Sequence, residues 1–380
     1  MIRRSLKRVL WTIAAIGLVY AYVTTFVMQV RYVDSGSMEP TIFGSESNGE
    51  WVLVHLDRSV PERYDIVVIQ SPNNGLLVKR VWGLPGEKFR VLAGDVYIED
   101  ELLPQGDSRP KPITVFDDRW HNLADYFVTQ DTVWTQESDS WLVSATGVEP
   151  QSKAGMIFLH KKIQDSYLDS AHRTIQGTQV VNDLVASVEL RFEEWNADGA
   201  FRIDLREGGD SFEALIEPVD ENTAKVSLIR TTDETIDEVM NEANLSFTTR
   251  EWNAVEFANV DNVLTLTIRT AKGEEESVTS SYEANTLGDP PPRQVQFAAT
   301  RARLRVRSVR LARDLYFTRH GKHAVDAPMV IGADQIMVLG DNSGRSRDGR
   351  EFGPVSLDQL YGRATRVVWP FSSWRTLESE

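Results

Sequence analysis

Three serine hydroxyls and one lysine amine draw attention before any fold is considered. The stretch "DSGSMEPTI", residues 34–42, sets Ser35 and Ser37 two positions apart in a segment with turn-forming glycine and proline. Lys79 lies inside the apolar frame "GLLVKRVWG", 75–83. Ser346 lies in the polar, glycine-rich stretch "GDNSGRSRDGREFGPV", 340–355. Serine hydrolysis of a peptide bond needs a nucleophilic hydroxyl, a base and donors for the oxyanion. Histidine is the usual base, but the six histidines, at 55, 121, 160, 172, 320 and 323, all lie outside these stretches. Lysine can take the role when burial lowers its pKa, because desolvation disfavours the ammonium. The apolar flanks of Lys79 fit a lysine held in a dry site, and serine–lysine pairs are a variant of triad logic.

These groups must be positioned by short strands and tight turns. "EWVLVHL" and "YDIVVIQ" are apolar, β-branched runs bounded by turn formers. "LLVKRV" continues that texture and stops at the breaker cluster Gly83-Leu84-Pro85-Gly86. "EKFRVLAGDVYIEDELLP" alternates, with Gly94-Asp95 as a hairpin signal. Near the C-terminus, "IMVLGDNSGRSRDG" reads as a strand that delivers Ser346 on a loop, and "YGRATRVVWPF" reads as a closing strand.

Between these parts lies a different texture. "FDDRWHNLADYFVTQ" reads as a short helix or an irregular connection. After about Val180 come alternating runs such as "LVASVELRFEEW", "AFRIDLREGG", "SFEALIEPV" and "EWNAVEFANVDNVLTLTIRT". Short, evenly spaced strands predict a β-sandwich. "DETIDEVMNEANL" reads as a helix or a polar loop, and "LGDPPPRQ" as a loop on its proline content.

The N-terminus is basic, then apolar. "MIRRSLKR" carries Arg3, Arg4, Lys7 and Arg8, and Val9 to Val30 contains no charged residue. At ~1.5 Å per residue such a run can cross a ~30 Å hydrocarbon core. It is longer than a cleavable signal's apolar region and lacks a clear small-x-small site, so an uncleaved transmembrane helix over 9–30 is expected. The basic cluster predicts a cytoplasmic N-terminus. Over the 380 residues the net charge is −15, which argues against a nucleic-acid partner. Cysteine is absent, which excludes disulfides, thiolate metal sites and a cysteine nucleophile.

Taken in order behind the apolar run, "SGSMEPTI", "YDIVVI", "LLVKRVWGLPGE" and the "GDN" loop make the chain resemble the bacterial type I signal peptidases, of the serine–lysine, S26-like kind. The resemblance covers residues 1 to about 110 and about 325 to 371. It implies that Ser37 is the nucleophile and Lys79 the general base. Ser35 would donate its hydroxyl to the oxyanion beside the Ser37 backbone N–H, and Ser346 would orient the lysine. Asp348 with Arg350, and Arg80 with Asp341, would brace the site. Met38, Ile42 and Val78 would wall shallow pockets for small side chains. The implied activity is a membrane-bound serine endopeptidase that cleaves signal peptides from exported preproteins after small-x-small (Ala-x-Ala) sites. The implied location is the inner membrane of a bacterium, single-pass, with the catalytic part outside. Partners would be preproteins and the lipid bilayer, with an unknown ligand for the insert. Three features depart from the family pattern: Tyr64 stands where glycine is usual, Gly349 where serine is common, and "SGR" at 343–345 is unusual. The first reads as a packing change and the second as a loosened loop.

The fold expected is mainly β: an N-terminal transmembrane helix and a signal-peptidase-type β-fold split by a concanavalin/laminin-G-like β-sandwich. The divisions are a tail at 1–8, the span at 9–30, catalytic parts at 31–114 and 316–380, and the insert at 115–315. No cofactor and no metal are expected. "GDNSGRSRDG" lacks EF-hand spacing, and His320 with His323 has no third ligand for zinc. Tryptophans 120, 134, 141, 195 and 252 read as core. The alternative is an anchored surface-binding protein with an inactive peptidase frame, which should have lost one of Ser35, Ser37, Lys79 or Ser346. A serine–lysine self-cleaving regulator would need an N-terminal DNA-binding domain in place of the apolar run.

Overall fold

The computed structural model describes residues 2–71, 75–103, 109–129, 133–149, 155–158, 162–232, 237–284 and 293–377. The chain is mainly β and forms two compact units, one from Met1–Pro110 with Tyr316–Glu380, the other from Lys111–Leu315. The second unit starts before the expected 115, because Ile113 and Thr114 already pair with Arg313 and Ala312.

The N-terminal helix α1 spans Ile2–Phe26. It therefore includes most of the expected tail and ends before the expected limit at Val30. The reason lies in the next strand. β1, Met28–Tyr32, pairs antiparallel with β2, Trp51–His55, from Met28↔His55 onward. Backbone groups committed to that ladder cannot also extend the helix. Among the described residues, no helix is long and apolar enough to cross a membrane.

The site-bearing sheet is built from β1, β2, β3 (Ile66–Gln70), β4 (Leu76–Gly83), β5 (Gln335–Leu339) and β6 (Leu360–Trp369). Their spatial order is β1-β2-β6-β3-β4-β5, then the two-residue strand Val355–Ser356, with Arg375–Thr376 beside β6. All pairings are antiparallel. β3 is a near-continuous apolar run, "IVVI", buried on both faces, as a central strand requires. Its pairing Val67↔Lys79 and Ile66↔Arg80 fixes the register of β4. Adjacent side chains on a strand point to opposite faces, so Lys79 and Arg80 serve different sides of the sheet. One apolar cluster joins Met38 and Ile42 to Val52, Val54, Ile66, Val68 and Val367. A second gathers Val67, Ile69, Val81, Ile336 and Val338.

A smaller sheet orders Met329–Val330, Lys88–Leu92, Asp95–Ile98 and Glu101–Leu102. Its first hairpin turns on Ala93 and Gly94, at φ 57 and 114, between the paired Leu92 and Asp95. The turn thus sits one residue earlier than the Gly94-Asp95 expectation. A Cβ on Gly94 would fall 2.4 Å from the Tyr316 ring, so a side chain there is excluded by space as well as by backbone.

In the second unit two long strands organise the rest. "LVASVELRFEEW" and "AFRIDLREGG" are not separate strands but one, Leu184–Glu207, pairing along its length with Val295–Arg313 through three register shifts. The first part of Leu184–Glu207 also pairs with Asn253–Val260, and its last part with Asp210–Pro218. Side chains of the long strand and of these two partners, including Leu190, Phe201, Phe212 and Phe257, share one core. The ends of the unit meet, because Ile113–Asp117 pairs with Arg310–Arg313. Leu123–Tyr126 is the short helix, capped by Asn122. Glu238–Ser246 is a strand and not a helix or loop; 233–236 lie outside the described residues, as does most of "LGDPPPRQ". Trp134 and Trp141 are core as expected, whereas Trp120 is 53% exposed.

Candidate active site

Ser37 sits in a single 3-10 turn, Gly36–Met38, that leaves β1 through an extended Ser35. Three contacts pin this turn. Ile42 N donates to Met38 O at 2.9 Å. The Asn342 side-chain amide donates to Gly36 O at 2.9 Å, and its backbone N–H donates to Ser37 O at 3.1 Å. Asn342 is not singled out by the sequence reading, although its place inside "GDN" is the available signal. A single asparagine on the distal loop therefore clamps two of the three carbonyls of the serine turn.

Lys79 reaches Ser37 from β4. Nζ lies 2.7 Å from Ser37 Oγ and donates to Val78 O at 2.8 Å. Both residues are buried. Burial pushes the Lys79 ammonium down from 10.5 to about 8; Asp348 and Asp341 oppose that shift and Arg350 adds to it. A lysine in this state holds a substantial neutral fraction near neutral pH, and only the neutral amine can accept a proton from serine.

Two buried carboxylate–guanidinium pairs surround the Ser37–Lys79 contact. Arg80 grips Asp341 with two hydrogen bonds, at 2.9 and 2.6 Å, and donates to Tyr64 O at 3.0 Å. Asp341 also accepts from Thr41 Oγ1 at 2.5 Å. One carboxylate thus ties β4, the loop after Ser37 and the distal loop. Arg350 grips Asp348 at 2.9 and 2.8 Å and donates to Thr318 O and Ser343 O. Asp348 in turn accepts the backbone N–H of Gly340 at 3.0 Å. Neither aspartate is free to leave its arginine without stranding a buried charge.

Gly340 is the second feature that sequence reasoning misses. A Cβ there would fall 2.2 Å from Ser346 Oγ and 2.5 Å from Ser37 O. The backbone of the distal loop passes so close to the serine turn that only hydrogen fits.

Other expected residues fall elsewhere than foreseen. Ser346 lies against Gly340, but its buried hydroxyl makes no hydrogen bond among the described residues; Val78 O and Ser37 Oγ hold Lys79 instead. Met38 and Ile42 are fully buried in the core, so they support the site from beneath and do not wall an open pocket. Val78 is partly buried at the edge of that cluster. Ser35 is exposed at the start of the turn.

A family model, signal peptidase, peptidase S26, matches residues 6–192 and 266–369. The chain belongs to that family. A probable signal peptidase I-2 of Synechocystis is 33% identical over 119 residues, 27% of this chain and 53% of that protein. The human mitochondrial inner membrane protease subunit 2 is 50% identical over 42 residues, 11% of this chain and 24% of that protein. The chain spans about half the length, or less, of these curated relatives. Among solved structures, a carbohydrate binding module of Bacillus subtilis aligns with a TM-score of 0.34 and 7% identity, over 49% of this chain and 94% of that one.

Two departures from the signal peptidase pattern now have physical content. Tyr64 has φ 74, the left-handed region that favours glycine. The strain of roughly 1–2 kcal/mol is offset by its ring, which is buried and packs edge-on against Trp82 at 5.2 Å. Gly349 does not loosen the loop, contrary to expectation. A Cβ there would meet Met337 Sδ at 2.5 Å and Val338 O at 2.8 Å, so the glycine allows the loop to press on β5.

Proposed function

We propose that this signal peptidase family member is a membrane-anchored serine endopeptidase that removes signal peptides after small-x-small sites. The observation that carries the reading is the 2.7 Å contact between Lys79 Nζ and Ser37 Oγ, with the lysine buried and lowered to about 8. Ser37 Oγ attacks the scissile carbonyl while the neutral Lys79 amine takes its proton. The resulting ammonium, held by Val78 O, gives that proton to the leaving amine. Water then repeats the sequence on the acyl-enzyme. The Ser37 N–H and the Ser35 hydroxyl are assigned to the oxyanion, and the exposed position of Ser35 is compatible with meeting a substrate. Asp341, Asp348, Arg80 and Arg350 act as braces. Ser346 keeps its lysine-orienting assignment as a proposal.

The anchor is part of the same reading. The helical part of the uncharged run, Val9 to Phe26, rises roughly 27 Å at ~1.5 Å per residue, short of the ~30 Å of a hydrocarbon core, so the proposed anchor rests on the uncharged sequence from Val9 to Val30 and on exposed apolar side chains. Trp11, Ile16, Leu18 and Tyr22 of α1 are exposed, as are Trp51, Trp369, Phe371 and Trp374 on the sheet-bearing unit. Exposed aromatic clusters of this kind suit a membrane–water interface. The inner membrane of a bacterium, a cytoplasmic N-terminus and preprotein substrates complete the proposal. The concanavalin/laminin-G kinship of the insert stays a proposal too, supported by its two long shared strands.

The test is cleavage of a preprotein bearing an Ala-x-Ala site by the full chain in liposomes, with Ser37→Ala and Lys79→Ala alongside. Cleavage at that site by the wild type alone supports the reading. An inert wild type, under conditions where another signal peptidase cuts the same substrate, refutes it.

A further inference from the structure

The second unit holds a feature that peptide hydrolysis does not use. A polar cavity of about 620 Å³ is lined by residues 118–123, residues 136 and 138–141 of a hairpin, and Ser308. Its most conspicuous member is Trp120. The ring is 53% exposed, and His172 stacks on it at 3.9 Å with an interplanar angle of 3°. His172 is not among the lining residues, whereas Trp120 is. An exposed indole held in one orientation is costly to present to water, and Trp120 departs from the buried Trp134 and Trp141 nearby.

Ser308 gives a second, independent observation. It takes φ 54, a left-handed conformation for a non-glycine residue, at a β-bulge where Ser187↔Arg310 shifts to Glu189↔Arg307. Bulges re-aim a strand edge and cluster beside binding sites. Val309, next to it, exchanges hydrogen bonds with Asp118: Val309 N donates to Asp118 Oδ2 at 2.8 Å and Asp118 N donates to Val309 O at 3.0 Å. The bulge therefore fixes Asp118 at the cavity.

The lining chemistry narrows the ligand. Arg119 is paired with Asp117 through Nε at 2.9 Å and Nη2 at 2.5 Å, so its charge is largely met within the protein. Asp118 and Asp139 disfavour anions further. Among the described residues, no third carboxylate or histidine gathers with this pair at metal-ligand spacing. A quaternary cation calls for several aromatic walls, and here one ring is open. What remains is a flat apolar face beside acceptors and amides: Trp120 with Asp118, Asp139, Asn122 and Gln136. A pyranose matches that set, with C–H groups for the indole and hydroxyls for the carboxylates and amides. We propose that this cavity binds a neutral oligosaccharide, making the insert a glycan-contacting module.

The test is a calorimetric titration of the full chain, in a detergent without a sugar headgroup, with cellotetraose, chitotetraose, maltotetraose and mannotetraose. At least one should bind at sub-millimolar strength. Trp120→Ala and Asp118→Asn should each weaken it about tenfold or more, while Trp120→Phe retains most of it and Ser37→Ala leaves it unchanged. Thermal melts identify any variant that fails to fold, and Gln136→Ala, at an exposed position, then takes its place with the same expected weakening. Absence of binding by all four sugars overturns the proposal. So does unchanged affinity in Trp120→Ala, or binding of dextran sulfate or a short peptide in preference to all four.

Discussion

Replacing Lys79 by methionine separates two consequences of burying an amine. The fall of Lys79 from 10.5 to about 8 corresponds to about 3 kcal/mol of preference for the neutral form. Between those two values the unfolded chain still carries a proton that the folded chain has lost, so stability rises with pH across the window. Below about 8 both states are protonated, and the folded protein bears the full cost of about 3 kcal/mol. Methionine removes the titration and keeps the volume. Its loss of the Ser37 contact is a constant offset of about 1 kcal/mol. The stability difference between Lys79→Met and wild type should therefore change by about 3 kcal/mol between pH of about 7 and 10.5, always in the direction of wild type gaining. Denaturant midpoints followed by tryptophan fluorescence measure it. In the wild type the same burial raises the neutral fraction near pH 7 from roughly one in three thousand to roughly one in ten, a gain of about 300-fold in usable base. Cleavage rates should climb through about pH 8 and then level. A stability gap that does not move with pH, or a rate flat from acid to alkaline conditions, would refute the assignment of Lys79 as a buried base.

Three further perturbations probe the scaffold. Gly340→Ala places a methyl 2.2 Å from Ser346 Oγ and 2.5 Å from Ser37 O; kcat should fall by about a hundredfold or more as the loop is pushed off the serine turn. A Gly340→Ala enzyme with wild-type kcat would show that the two loops are not in contact during turnover. Asn342→Ala removes the side-chain clamp on Gly36 O and should cost about 1 kcal/mol in unfolding, with a drop in kcat and little change in KM. Tyr64→Gly relieves roughly 1–2 kcal/mol of backbone strain but gives up about 2–3 kcal/mol of ring burial and the Trp82 contact. The variant should be less stable by about 1–2 kcal/mol, and a rise in melting temperature would show that backbone strain outweighs ring burial.

The parts of the site that sequence reveals are those that depend on residue type: two serines, a lysine in an apolar frame, and two acid–arginine combinations. Those that it hides depend on distance. Nothing in "GDN" says that its asparagine reaches Gly36, 306 residues away, and nothing marks Gly340 as an approach point until the two loops are seen together. Hydrophobic residues beside a nucleophile suggest pocket walls, yet Met38 and Ile42 lie in the core, since the pleat of the neighbouring strands supplies an apolar floor for them. Strand content is legible from alternation; continuity is not, because "NADG" separates two alternating runs in the sequence, whereas it bulges out of one uninterrupted strand. Helix α1 is foreshadowed by an apolar run, but its end at Phe26 is decided by the pairing of β1 with a strand further down the chain.

The pairing of Ile113–Asp117 with Arg310–Arg313 bears on how the distal loop reaches Arg80 and the serine turn. Arg80 and Asp341 are separated by 261 residues of chain, and closing a disordered loop of that order costs about 3 kcal/mol more than closing one of a few residues. Once the insert has folded, its first and last strands lie side by side and the effective loop shrinks from 261 residues to roughly 60, a saving of about 1 kcal/mol. The insert thus prepays a chain-entropy cost before the distal loop is needed. The segment carrying Gly340, Asn342 and Asp348 is also made after the whole insert, so the serine turn waits through translation of that insert before its clamp exists.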